Sequence, residues 1–105
     1  MKDIYIVQIE WIPYLQGGRK TLPSDRYAPI IVTEGNVLDT QKDCWSVILS
    51  DIKIIDTLKT VSKIEYLSEV APKDLFPGRK FKLYEGSKLV ADGIVLEKIV
   101  EKENL

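Results

Sequence analysis

The stretch Phe81-Lys82-Leu83-Tyr84-Glu85-Gly86-Ser87-Lys88-Leu89-Val90-Ala91-Asp92-Gly93-Ile94-Val95 reads as two strands and the turn that joins them. Phe81 and Leu83 alternate with lysine and tyrosine, the period of two that puts apolar side chains on one face of a strand. Glu85-Gly86-Ser87-Lys88 supplies the turn, with a glycine where a tight hairpin needs backbone angles closed to other residues. The return arm runs from Leu89 to Val100, with Gly93 read as a bulge, and Glu101 to Leu105 is a charged tail expected to fray.

The same punctuation recurs outward from this hairpin. Ala71-Pro72 and Phe76-Pro77-Gly78 mark the loop before it, and Lys63 to Leu67 is a short strand. Cys44-Trp45-Ser46-Val47-Ile48-Leu49 is another strand, preceded by a polar connection at Asp39 to Asp43. From Ser50 to Thr60 the pattern is mixed: Ile48, Ile52 and Ile55 have helical spacing, whereas Ile52 and Ile54 alternate, and the segment is read as strand. At the N-terminal end Tyr5, Val7, Ile9 and Trp11 share one face of a strand over Ile4 to Ile12. Pro13 to Pro23 is a long loop around Gly17-Gly18, and Tyr27 to Val32 is a further strand closed by Glu34-Gly35-Asn36. Short strands without a persuasive amphipathic helix predict an all-β, mostly antiparallel barrel or sandwich, and closure removes exposed edges. Val7, Ile9, Trp11, Val47, Leu49, Phe81, Leu83 and Val95 are the expected core.

At 105 residues and 45% hydrophobic, the chain is sized for one domain over residues 1–105. Lys plus Arg number 15 against 16 Asp plus Glu, so any attraction for nucleic acid must be local. The first residues lack the apolar core of a signal peptide, and no apolar run approaches the ~20 residues of a membrane helix. One cysteine cannot form an intrachain disulfide, which fits a cytoplasmic protein, and Cys44 reads as a buried strand residue. There is no histidine, which removes Ser-His and Cys-His nucleophile pairs and His-based zinc sites. Glu65 and Glu69 have no partner that suggests acid-base work. The expectation is a non-enzyme without cofactor or metal.

Two stretches resemble the third, C-terminal domain of elongation factor Tu. Gly17-Gly18-Arg19-Lys20-Thr21-Leu22-Pro23 with Tyr27-Ala28-Pro29 is similar to that family's Gly-Gly-Arg-(His/Lys)-Thr-Pro loop and its later Tyr-Arg-Pro. The hairpin from Phe81 to Val95 is similar to its Phe-Ala-Ile-Arg-Glu-Gly-Gly-Arg-Thr-Val-Gly-Ala-Gly-Val-Val. The segment from Val37 to Val70 matches only as strands. Leu22 is inserted, Ala28 and Tyr84 stand where the family has arginines, and Ser87 and Asp92 replace a glycine and a small residue. A Gly-x-x-x-x-Gly-Lys-(Ser/Thr) phosphate loop is missing, so nucleotide hydrolysis belongs to parts of the family not represented here.

The resemblance implies a stand-alone six-stranded antiparallel β-barrel without the GTPase. It also implies that Arg19, Lys20, Glu85 and Gly86 fall on positions that face the aminoacyl-tRNA backbone in the family. Thr21, Arg26 and Lys88, in the same loops, complete the candidate binding set. Pro72 to Lys88 carries Lys73, Arg79, Lys80, Lys82 and Lys88 against Asp74 and Glu85, so if it folds beside Arg19 one end of the barrel is basic and the Asp39 to Asp56 end acidic. Two classes of partner follow: a protein, such as a translation GTPase or a toxin that targets it, or a tRNA or other RNA backbone; neither membrane nor DNA is expected. Near-neutral net charge and the two absent arginines favour the protein.

Overall fold

The computed structural model describes residues 3–34 and 45–99. Six strands carry the fold: β1 (Ile4–Trp11), β2 (Ile30–Thr33), β3 (Trp45–Asp56), β4 (Lys59–Tyr66), β5 (Lys80–Glu85) and β6 (Lys88–Ile99). They close into a barrel in the order β1-β4-β3-β2-β5-β6, with every pairing antiparallel. Among the described residues the only helical element is a 3₁₀ turn at Tyr14–Gln16, and no helix is long and apolar enough to cross a membrane.

Alternation sets what the barrel encloses. Tyr5, Val7, Ile9 and Trp11 of β1 point inward, opposite Thr60, Ser62 and Ile64 of β4, and Val47, Leu49, Phe81, Leu83, Val90 and Val95 fill the remainder. All eight residues expected in the core are buried. Tyr27, Trp45 and Ile52 pack against this core while half exposed. Cys44 and the connection at 39–43 lie outside the described residues.

Two local expectations are corrected. Gly93 is in regular register, paired with Phe81; the irregularities in β6 fall at Val90 against β5 and at Leu96 against β1. The glycine is required for another reason: a Cβ there would lie 2.3 Å from the Phe81 Cζ, so the ring covers the space a side chain would fill. The segment 27–32 is a strand only from Ile30, because Pro29 has no N–H to offer; Tyr27 bonds both ways with Leu49 as an isolated bridge, and the Pro29 carbonyl accepts from Val47 N–H. The strand reading of 50–60 holds: β3 runs on to Asp56 and β4 begins at Lys59, with a slipped register between Ser50 and Lys53, where Asp51 takes φ +53°. A second shift falls between Ile54 and Asp56, and both Ile54 and Ile55 are exposed, which breaks the alternation of the strand.

The strand directions give the barrel two rims. The loop rim gathers the C-terminal end of β1, the 3₁₀ turn, residues 17–29, and the β3–β4 and β5–β6 turns, as the pairs Glu10 with Lys59, Trp11 with Ala91 and Glu85 with Lys88 require. The opposite rim holds Asp3, the 67–79 connection and the end of β6 at Ile99, paired with Ile4.

Candidate functional site

At the loop rim the chain leaves β1 through Ile12 and Pro13 and turns back on itself. Gly17 adopts φ +97° and donates its N–H to the Tyr14 carbonyl, ending the 3₁₀ turn in the left-handed region that glycine enters without cost. Gly18 is buried against the backbone just after β1, where a Cβ would sit 1.7 Å from the Ile12 carbonyl oxygen. The glycine pair therefore serves the turn, and its effect is to aim Arg19 back across the rim.

Arg19 meets three groups. Its Nη1 donates to Glu85 Oε2, its Nε donates to the Thr21 carbonyl at 3.2 Å, and its guanidinium lies 4.6 Å from the centre of the Tyr27 ring. Tyr27 in turn meets Trp11 edge-on at 5.8 Å, and Trp11 Nε1 donates to Thr60 Oγ1 at 2.9 Å inside the barrel. A continuous stack thus runs from the core to the rim. Tyr27 is held by its two backbone bonds to Leu49 and by Asp25, whose carboxylate accepts the Ile52 N–H at 2.7 Å where β3 slips. Burial first, then the Glu85 carboxylate beside it, pushes the Tyr27 phenol well above its ordinary range, with Arg19 opposing. The hydroxyl itself is buried and makes no hydrogen bond of normal geometry among the described residues.

The predicted site residues therefore divide. Arg19 and Glu85 are brought together, but as partners of one another, and their side chains are about a quarter and a third exposed. An ion pair of this exposure contributes only about 0–1 kcal/mol to stability. Gly86, at φ +60°, opens the two-residue turn that carries Glu85. Thr21 contributes its carbonyl to Arg19, and Lys20, Arg26 and Lys88 are exposed at the same rim with no ion pair among the described residues. Arg26 holds φ +65°, uncommon for a residue with a side chain.

The charges of 72–88 do not gather beside Arg19. Of the five cations between 72 and 88 only Lys88 reaches the loop rim; Lys82 bonds Asp92 at 2.6 Å on the barrel wall, Lys73 lines the opposite rim, and Arg79 lies 5.4 Å over the Phe76 ring. Asp56, expected at an acidic pole, ends β3 at the β3–β4 turn on the same rim as Arg19, and Asp51 lies at the slip within β3. Apolar groups mark this rim instead. Leu15 is 95% exposed, and Tyr14, Ile54 and Ile55 are also exposed. Sequence reasoning missed them; the signal was Tyr14-Leu15-Gln16 held between Pro13 and Gly17, a turn with no core face.

A second polar cluster lies at the opposite rim, unforeseen because its members are far apart in sequence. Asp74 accepts from Tyr66 Oη at 2.6 Å and from Thr33 Oγ1 at 2.9 Å, and burial followed by the Asp74 bond raises the Tyr66 phenol far above its usual range. Beside it is a cleft of about 220 Å³ lined by Asp3, Tyr5, Tyr66, Glu69, Lys73 and Leu75 among others. Two of its polar groups are engaged with the protein itself: Tyr66 donates to Asp74, and Asp3 pairs with Lys98 at 3.3 Å. Glu69 is exposed on the cleft wall, whereas Glu65 is on β4 opposite Ile48.

No family model matches this chain, and no curated protein matches it.

Proposed function

We propose that the chain is a non-catalytic binding module, resembling the third domain of elongation factor Tu, that docks a protein through its loop rim. The partner class is a translation GTPase or a toxin that targets one. A barrel of this kind hosts many unrelated tasks, so the reading rests on the chemistry of the rim.

The observation that carries it is the fate of Arg19. A phosphate-binding arginine presents its planar fork outward, where two N–H groups can meet two oxygens. Here the guanidinium is committed to Glu85, the Thr21 carbonyl and the Tyr27 ring, while Leu15 projects almost fully into solvent at the same rim. An exposed apolar anchor with charged neighbours such as Lys20, Arg26 and Lys88 is the anatomy of a protein interface, in which a few packed residues carry affinity and the surrounding charges tune the encounter.

The test is affinity capture from native lysate, with and without ribonuclease, using wild type, L15D and R19E/K20E. Retention of an identified translation GTPase or toxin after ribonuclease, lost with either variant, supports the proposal. Recovery of tRNA that disappears on ribonuclease treatment, with no such protein retained, overturns it.

A further inference from the structure

We infer that the outer edge of β3 from Lys53 to Asp56 pairs antiparallel with the same edge of a second copy of this chain, giving a two-fold dimer. This goes beyond the docking proposed around Leu15 and Arg19, and uses neither residue.

The edge arises because β3 outlasts its neighbour. β2 pairs with β3 only at Ile30 with Ser46 and Ile31 with Trp45, and an isolated bridge from Tyr27 reaches Leu49. On the other side β4 stays paired as far as Lys59 with Asp56. Asp25 covers the outer side at Ile52 by accepting its N–H at 2.7 Å, and beyond it no strand among the described residues flanks Lys53 to Asp56. An antiparallel strand directs backbone N–H and C=O groups to both sides, so a bare side is a template for another strand. Lys53, Ile54, Ile55 and Asp56 are all exposed, the two isoleucines to 66% and 52%. The shift between Ile54 and Asp56 leaves Ile55 without a partner on β4, and such a bulge re-aims side chains, so two adjacent isoleucines both meet solvent.

The edge's own sequence selects the occupant. Lys53 and the bulge discourage an arbitrary strand, but a copy of the chain answers the lysine. The open window is bounded by Asp25 at Ile52 and by the β3–β4 turn after Asp56, so full overlap of two antiparallel copies places the two-fold axis between Ile54 and Ile55. That register sets Ile54 opposite Ile55 and Lys53 opposite Asp56, each contact occurring twice. Sliding the copies by one or two residues in either direction sets a charged side chain opposite an isoleucine. Within one chain neither Lys53 nor Asp56 makes an ion pair among the described residues, and Asp56 Oδ1 accepts the Thr57 N–H at 2.7 Å, which holds the carboxylate at the edge. With a net charge of −1, two copies repel one another little.

The experiment is sedimentation equilibrium of the purified chain from micromolar to near-millimolar concentration, with wild type, K53D, D56K, K53D/D56K, I54S/I55S and L15D. Wild type should associate to twice the monomer mass. K53D and D56K each set like charges opposite one another twice, and should weaken the dimer at least about tenfold. K53D/D56K restores both opposite-charge pairs and should return to within about threefold of wild type. I54S/I55S should be monomeric, and L15D should dimerise as wild type does. A wild type that stays monomeric throughout overturns the inference, as do a double swap that fails to recover and an I54S/I55S that still dimerises. Where one single variant fails to fold by circular dichroism, the other single variant and the double swap decide. A monomeric wild type whose capture of a foreign protein is abolished by K53D would give the edge to that partner's strand and overturn the dimer. L15D separates the two readings, since it should lose protein capture and keep the dimer; loss of the dimer in L15D would move the interface away from β3.

Discussion

Gly93→Ala should destabilise the barrel although it adds a single methyl group. The new Cβ would lie 2.3, 2.4 and 3.0 Å from three atoms of the Phe81 ring, where ordinary contact begins near 3.4 Å. The ring must retreat by roughly 1 Å or more, yet Phe81 is buried to 2% exposure among close-packed neighbours. Forcing such a shift costs about 1–3 kcal/mol. Gly93 has no left-handed φ, so alanine meets no backbone strain, and the stiffer unfolded chain returns about 0.4–1 kcal/mol. The net expectation is a loss of about 1–2 kcal/mol. Urea unfolding followed by tryptophan fluorescence measures it, and a double-mutant cycle with Phe81→Leu isolates the cause. Leucine lacks the far ring atoms that clash, so in that background Gly93→Ala should cost at least about 1 kcal/mol less. A single-mutant change within about 0.5 kcal/mol, or an equal cost in both backgrounds, would refute the reasoning that the ring requires the glycine.

Trp11→Ala should cost about 3–5 kcal/mol, because it empties a buried aromatic site and strands the Thr60 hydroxyl; a loss under roughly 1 kcal/mol in the same urea assay would place Trp11 outside the core. The raised phenols of Tyr27 and Tyr66 predict alkaline sensitivity. Both hold their protons more tightly folded than unfolded, so their contribution is complete below the unfolded phenol pKa of about 10 and drains away as pH rises through and beyond it. Thermal melts from pH 8 to 11 should show Tyr27→Phe and Tyr66→Phe losing less stability than wild type across that window, and parallel curves would contradict the assignment.

The hairpin and β1 were legible because clean alternation, a turn glycine and apolar faces all agree there; six of the eight core residues follow from that agreement, and Val47 and Leu49 from the apolar run of β3. Legibility ends where a local feature has a distant cause. Gly93 reads as a bulge until Phe81 is placed across it, and Asp51 hides a register slip whose freed N–H is taken by Asp25, a residue on another loop. The Asp74 cluster joins Thr33 and Tyr66 through contacts that no spacing announces. At the rim, sequence reasoning placed Arg19 and Glu85 on one surface as ligand contacts, and left the ion pair between them unseen. Side-chain charge in sequence is additive, whereas charge in a folded rim depends on which groups neutralise each other.

Direct titration of the wild-type protein with purified tRNA at physiological salt tests the central claim. Weak binding is expected, because the Arg19 guanidinium is held by Glu85. Sub-micromolar binding that falls steeply with salt and is abolished by R19E/K20E would contradict it, and would make the loop rim an RNA-backbone site.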